Sequence, residues 1–207
     1  MSSRQTASGP TTPRPAATPP DADALALRAD YVSRRAIEVF DDVAGVEDGL
    51  THQPDVYQLV AYLVERTGAR RIVDIGCGSA KQLLALTTAA DVIGIDHPST
   101  VRTLQELHPT RSWIAADLEA PLTEPRLAAP ELAEDAVVVC SDVIEHLLDP
   151  RPLLELLRSW RHSAKAIVMS TPDRVRVRGV DDIGPPANPF HVREWQLDEF
   201  DVLLRAA

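Results

Sequence analysis

The sequence predicts an α/β fold built on a doubly wound, mostly parallel sheet. Short Val- and Ile-rich runs alternate with amphipathic stretches from Arg70 onward, as strand–crossover–strand units require. The run Arg71 to Ile75 (RIVDI) breaks at once into Gly76-Cys77-Gly78, a buried strand entering a glycine-rich turn. The first four expected strands each end in an acid, Asp74, Asp96, Asp117 and Asp142. In an open parallel sheet the carboxyl ends of the strands share one rim, where ligands bind.

Bulk properties bound the rest. A chain of 207 residues with 44% hydrophobic content is long enough for one domain with a sizeable core. The formal net charge of −10 and a pI near 5.0 set a whole-molecule field that argues against nucleic acid and anionic membranes as partners. No apolar run approaches the roughly 20 residues of a membrane span, and no N-terminal apolar segment reads as a signal peptide. The two cysteines, Cys77 and Cys140, make neither a disulfide framework nor a metal spacing; reduced thiols in a cytoplasmic protein are expected.

Taken in order, residues 1–20 form a Pro/Ser/Thr/Ala-rich tail expected to be disordered. Residues 21–69 should hold two helices. Apolar positions from Leu25 to Phe40 predict an amphipathic helix over about 21–40, N-capped by Asp21 or Asp23. Pro54 in a first turn and Gly68 beyond an end predict a second over 54–66. The domain proper, 70–207, should carry strands over 71–75, 91–96, 112–117, 136–142 and 165–170. Helices are expected over 80–86, 99–107, 150–160 (N-capped by Asp149) and 196–205. Residues 119–134, rich in Pro, Ala and acid, read as a loop with at most one short helix.

The glycine turn indicates the ligand. Gly76 and Gly78 should let the backbone turn sharply and a ligand approach closely, with the N-terminus of the next helix pointing into the same crevice. The dinucleotide fingerprint G-x-G-x-x-G is not met, because Lys81 stands where its third glycine would fall. Asp96 follows the turn at about the 20-residue spacing of an acid that binds ribose hydroxyls. With Asp74 two residues before Gly76, the stretch resembles motif I of the class I S-adenosylmethionine (SAM) dependent methyltransferases, the acid-x-G-x-G pattern, with Ala80 at a further glycine position.

That resemblance spans roughly Arg71 to Phe200 and implies a Rossmann-like methyltransferase sheet. It implies that Asp74, Gly76, Cys77 and Gly78 cradle SAM, that Asp96 binds the ribose and that His97 lies beside the adenine. Asp117 and Leu118 fall where the adenine edge is bound, and Ser141 and Asp142 near the methionine end and the methyl group. Methyl transfer from a sulfonium is an in-line displacement that needs mainly positioning, plus removal of a proton from a hydroxyl acceptor.

Asp142, Glu145 and His146 occur in SDVIEHL. If a helical turn follows the strand, Asp142 can reach both Glu145 and His146. His146 then suits a general base oriented by a carboxylate. Alternatively Asp142, Glu145 and His146, with His191 of NPFHVREW, hold a divalent metal such as Mg, as the E-x-x-E-H cluster does in metal-dependent members of the resembled family. Hydrogen bonding of the loops is the competing structural use of these side chains. The segment 171–191, with Gly179, Gly184 and several prolines, has the composition of a lid, and alternating Arg174, Arg176 and Arg178 would share one face of an extended strand.

After Trp195 only one helix fits, so the sheet is expected to lack the two strands that usually complete the family's fold, leaving an edge that favours a homodimer. These observations lead to a cytoplasmic SAM-dependent methyltransferase acting on a small-molecule acceptor, with oxygen favoured. The alternatives are an RNA ribose 2′-O-methyltransferase and a SAM-binding protein without catalysis.

Overall fold

Alternation of side chains along β-branched strands divides the core into two layers. The structure, a computed structural model, describes residues 22–35 and 54–206. Its strands are β1 (Arg71–Ile75), β2 (Asp91–Asp96), β3 (Ser112–Ala115), β4 (Ala136–Ser141) and β5 (Ala166–Ser170). They form a five-stranded sheet in the order β3-β2-β1-β4-β5, and every neighbouring pair is parallel. The doubly wound expectation therefore holds. Strand order reverses beside β1, where β2 lies on one side and β4 on the other, and such a switch point opens a crevice at the carboxyl ends.

One face of the sheet presents Ile72, Val137 and Val139 to Val60 and Val64 of α1 (Pro54–Thr67), Leu83 of α2 (Lys81–Ala85), and Val101 and Leu104 of α3 (Pro98–Leu107). The other face presents Val73, Ile75, Val138 and Cys140. It packs on Leu153, Leu157 and Trp160 of α5 (Arg151–Trp160) and Leu203 of α7 (Leu197–Ala206), with a single turn of helix, α4 (Pro125–Ala128), alongside. Period two puts Asp74 on the Ile72 face, beneath α1. That placement matters below.

Local chemistry accounts for most element ends. α5 starts one residue later than predicted, so Pro150 and not Asp149 is its N-cap; Asp149 Oδ1 still accepts from the Arg151 amide at 3.1 Å and closes the turn that leads into the helix. Pro98 opens α3, whose preceding His97 ring accepts from the Ser99 amide at 3.4 Å. β3 and β4 stop earlier than predicted, so Asp117 and Asp142 lie just past their strands.

Two expectations fail. The helix predicted over 21–40 is a single 3-10 turn, Asp23–Leu25, followed by an irregular segment to Arg35 with a turn at Ala29-Asp30; residues 36–40, like residue 21 and the tail 1–20, lie outside the described residues. Tertiary hydrogen bonds override the helical pattern: the amides of Val32 and Arg34 donate to the carbonyls of Ile183 and Val192, each at 2.8 Å. The extended arginine row fails too. Arg174–Arg178 is a short helix, α6, capped by Asp173, which accepts from the Val175 amide at 2.9 Å.

One glycine inside a strand is essential to packing. A Cβ at Gly94 on β2 would lie 2.6 Å from a Trp113 ring carbon and 2.7 Å from Cys77 Sγ, closer than any relaxed contact. Gly94→Ala is expected to lower stability by about 1–3 kcal/mol through overpacking, read as a shift in urea midpoint; Gly184→Ala, where a Cβ would come no nearer than 3.6 Å to Asp182 Oδ1, serves as an uncrowded comparison.

Candidate active site

The turn after β1 is built from left-handed residues: Gly76 has φ 73°, Gly78 φ 50° and Ala80 φ 55°. Gly76 and Cys77 donate their amides to the Ile95 carbonyl of β2 at 2.8 and 3.3 Å. Glycine at 76 has a further cause besides the left-handed turn. A Cβ there would collide with the Val143 side chain, so the protein itself, before any ligand, forbids a larger residue. Ala80, at the further glycine position of the motif, adopts the glycine-like conformation at the usual cost of about 1 kcal/mol.

Asp96 joins this turn to the next. Gly78 N donates to Asp96 Oδ2 at 2.8 Å, and His97 N donates to Asp96 Oδ1 at 2.7 Å. A carboxylate has about four acceptor sites, so both oxygens keep capacity for ribose hydroxyls. The His97 ring is engaged with Ser99 Oγ at 2.7 Å, which fixes it as a helix cap at the rim. Asp117 Oδ1 accepts from the Glu119 amide at 2.9 Å, closing a turn, and Leu118 packs against the core. Cys77 is buried beneath the turn, and Ser141 Oγ pairs with Ser170 Oγ at 2.8 Å across β4 and β5.

Asp74 is fully buried. Tyr57 of α1 donates its hydroxyl to Asp74 Oδ2 at 2.7 Å, while Asp74 Oδ1 has no hydrogen-bond partner among the described residues. Burial pushes this carboxyl up to about 7, with the Asp96 charge acting in the same direction and the Tyr57 hydrogen bond opposing both. Nothing in the sequence pattern singles out Tyr57; its position in the first turns of α1, over the Asp74 face, is the signal that only the sheet supplies.

On the β4 side, Asp142 takes a left-handed φ of 53° and Ile144–His146 makes a 3-10 turn, not the α-helical turn expected. Ligand atoms of Glu145, His146 and His191 gather within 4.8 Å of one another; Asp142 is not of that group. Glu145 is fully buried, with Thr171 Oγ1 donating to its Oε2 at 3.0 Å, and burial followed by the Asp142 charge pushes it up to about 8.

Hydrogen bonds fix the two imidazoles. His146 Nδ1 lies 3.0 Å from the Phe190 carbonyl and so carries the proton, leaving the lone pair on Nε2. The two rings meet edge to face at 4.8 Å. His191 Nδ1 lies 2.7 Å from Glu194 Oε1 and its Nε2 2.9 Å from Asn188 Nδ2. Asn188 Oδ1 already accepts from the Phe190 amide at 3.0 Å, which fixes Nδ2 as the donor. The His191 lone pair is thus taken.

The segment 171–191, expected as a lid, is tied down through Arg174, Arg178 and the residues that follow it, while within 179–190 only Pro186 is buried. Val192, Arg193, Glu194 and Trp195 are all buried. Glu194 Oε2 accepts from Arg178 Nε at 2.9 Å, its amide donates to the Tyr31 hydroxyl at 2.9 Å, and Trp195 Nε1 donates to the Leu25 carbonyl at 2.9 Å. Arg174, fully buried, pairs with Glu199 at 3.0 Å and lies over the Tyr31 ring. Two of the three arginines expected to face an anion are therefore committed to this network, and Arg176 alone is exposed. The sequence gives no periodic signal for Tyr31, Asn188 or Glu194, because their partners lie far along the chain or beyond a turn.

The class defined by these features is a Rossmann-like domain with its ligand rim over β1, β2 and β4. No family model matches the chain. It is 36% identical over 153 residues to a probable S-adenosylmethionine-dependent methyltransferase of Mycobacterium tuberculosis, covering 72% of this chain and 51% of that protein. It is 31% identical over 106 residues to the ubiquinone biosynthesis O-methyltransferase of Paraburkholderia phymatum, covering 51% of this chain and 45% of the relative. Among solved structures, the methyltransferase domain of bacterial CtHen1-C superposes with a TM-score of 0.53 at 17% identity, over 74% of this chain and 81% of that one. In sequence the chain is similar to S-adenosylmethionine-dependent methyltransferases, and its sheet has the Rossmann-like fold of such a domain. It spans about half the length of the curated relatives it matches.

The buried acids make a pH prediction. An acid whose folded pKa is raised is favoured folded in its protonated form, so its penalty is absent below the unfolded value and grows as pH rises toward the folded value. For Glu145 that window runs from about 4.5 to about 8. Glu145→Gln, measured with chelator present, should raise stability at pH 8 by on the order of 1.4 kcal/mol or more, the worth of one pKa unit, and by little at pH 4.5; equal effects at both pH values would contradict the burial argument.

Proposed function

We propose that the protein is a SAM-dependent methyltransferase acting on a small-molecule acceptor, with a hydroxyl oxygen favoured. The observation that supports this most is Asp96, which ties the amides of Gly78 and His97 together at the rim and retains acceptor capacity there. The orphaned Asp74 Oδ1 and the left-handed glycine turn fit a ligand carrying both ribose hydroxyls and positive charge. Asp74, Gly76, Cys77 and Gly78 would line the methionine end of SAM, Asp96 its ribose, and His97, Asp117 and Leu118 the adenine, with Ser141 and Asp142 near the methyl group.

SAM supplies an activated methyl group. The acceptor oxygen forms its bond to that carbon as the carbon–sulfur bond breaks, the sulfonium becomes the thioether of S-adenosylhomocysteine, and the acceptor's proton leaves. His146 Nε2, holding a lone pair because Nδ1 faces the Phe190 carbonyl, takes that proton. Asp142 would lie near the developing imidazolium, while Glu145, its carboxyl pushed up to about 8, adds negative charge only at higher pH. The oxygen preference also draws on the O-methyltransferase among the relatives.

The divalent-ion expectation fares less well. Three of its four donors gather, but the His191 lone pair faces Asn188 and Asp142 stands outside the group, so the donors as arranged do not fit a metal and no step is drawn through one. An RNA substrate is disfavoured by the net charge of −10 and by the burial of Arg174 and Arg178. No helix among the described residues is long and apolar enough to cross a membrane. Pairing through the β5 edge, as a homodimer, and residence in the cytoplasm stay part of this proposal.

Calorimetric titration of the protein with S-adenosylhomocysteine, beside Asp96→Ala, tests the reading. Binding by the parent and a loss of about tenfold or more in the variant, about 1.4 kcal/mol, is expected. Absence of binding by folded parent protein would reject the cofactor assignment.

A further inference from the structure

We infer that Tyr57 is a positioning residue of the cofactor site: its hydroxyl holds one oxygen of Asp74 so that the other receives the ammonium group at the methionine end of SAM. This rests on the SAM reading above and assigns a role to a helix that precedes the motif-bearing sheet.

The order of the strands orients the ligand. Asp96 closes β2, and Asp117 follows β3, on one flank of β1; β4 lies on the other flank. A SAM molecule whose ribose meets Asp96 and whose adenine runs toward β3 therefore extends its amino-acid end back over β1 and β4. Asp74 is the acid under that end. Its side chain points to the α1 layer because Ile72, two residues earlier, does, and α1 offers Tyr57 at 2.7 Å.

Burial then sets the chemistry. Asp74 is fully enclosed, yet Oδ1 accepts no hydrogen bond among the described residues. A buried carboxylate oxygen without a donor is costly, and the cost is removed when a ligand brings a cationic N–H group. Burial lifts the Asp74 carboxyl to about 7; an arriving ammonium would favour its charged form. The Tyr57 hydroxyl, its own pKa raised by burial and by Asp74, stays a donor throughout. With phenylalanine at 57 Asp74 Oδ2 loses its donor, so neither oxygen is held by the protein, the acid is more readily protonated, and its attraction for the ammonium weakens.

The test uses two ligands that differ by one group: S-adenosylhomocysteine, and 5′-S-(3-carboxypropyl)-5′-thioadenosine, the same molecule without its amino group. Parent protein, Tyr57→Phe and Asp74→Asn are titrated with each by calorimetry. Tyr57→Phe is expected to weaken S-adenosylhomocysteine about tenfold and the deamino compound less than about twofold; Asp74→Asn should show the same selectivity with at least as large a loss. Unchanged affinity of the deamino compound also shows that each variant keeps a folded site. Equal weakening of both ligands by Tyr57→Phe, or no weakening of either, would overturn the inference. If the parent binds neither ligand, the SAM reading fails and this one with it, an outcome distinct from loss of selectivity in a parent that binds.

Discussion

The carboxylate of Asp96 is the joint on which the site depends. It accepts from Gly78 N and His97 N, one on each oxygen, and so locks the turn after β1 to the turn after β2. Without it, two left-handed glycines would add conformational entropy to the loop that has to be rigid. The same group carries the sequence signal for ribose recognition, and the two uses reinforce each other: a carboxylate immobilised by backbone amides presents its remaining lone pairs in fixed directions. Val143, whose side chain a Cβ at Gly76 would strike, presses on the turn from the β4 side.

The acids around this joint are arranged against the apo protein's stability. Asp74 and Glu145 are buried with their carboxyl groups pushed up to about 7 and about 8, each with one oxygen lacking a hydrogen-bond donor among the described residues. Buried, raised carboxyls gathered along one rim are the pattern expected where ligands supply the missing donors. The opposing stabilisation comes from a separate network. Arg174 with Glu199 and Arg178 with Glu194 are well-enclosed pairs, and they tie the residues around Tyr31 to the His191–Trp195 segment. Removing one member of such a pair is far more damaging than replacing both, so this part of the molecule tolerates little change.

Much of this was legible in the chain. Strand identity, the parallel order and the position of the glycine turn follow from period-two apolar runs and from Gly76 and Gly78, because those signals are local. The helix that begins at Pro54 is legible for the same reason. The apolar spacing after Asp23 suits a helix, whereas hydrogen bonds to Ile183 and Val192 hold the segment in an irregular path, and no local pattern announces partners so distant. Arg174, Arg176 and Arg178 were misread because alternation cannot distinguish an extended face from a short helix whose buried acids lie about twenty residues downstream. At the site, the acids were visible as residue types, but Tyr57, Thr171, Asn188 and Glu194, which decide what those acids and histidines can do, become visible only through tertiary placement.

The most direct measurement is a crystal structure of the protein with S-adenosylhomocysteine bound. The account requires the ribose hydroxyls on the Asp96 carboxylate, with the Gly78 and His97 amide bonds retained, and the amino-acid end over β1. A ligand seated elsewhere, or a ribose that avoids Asp96, would contradict it.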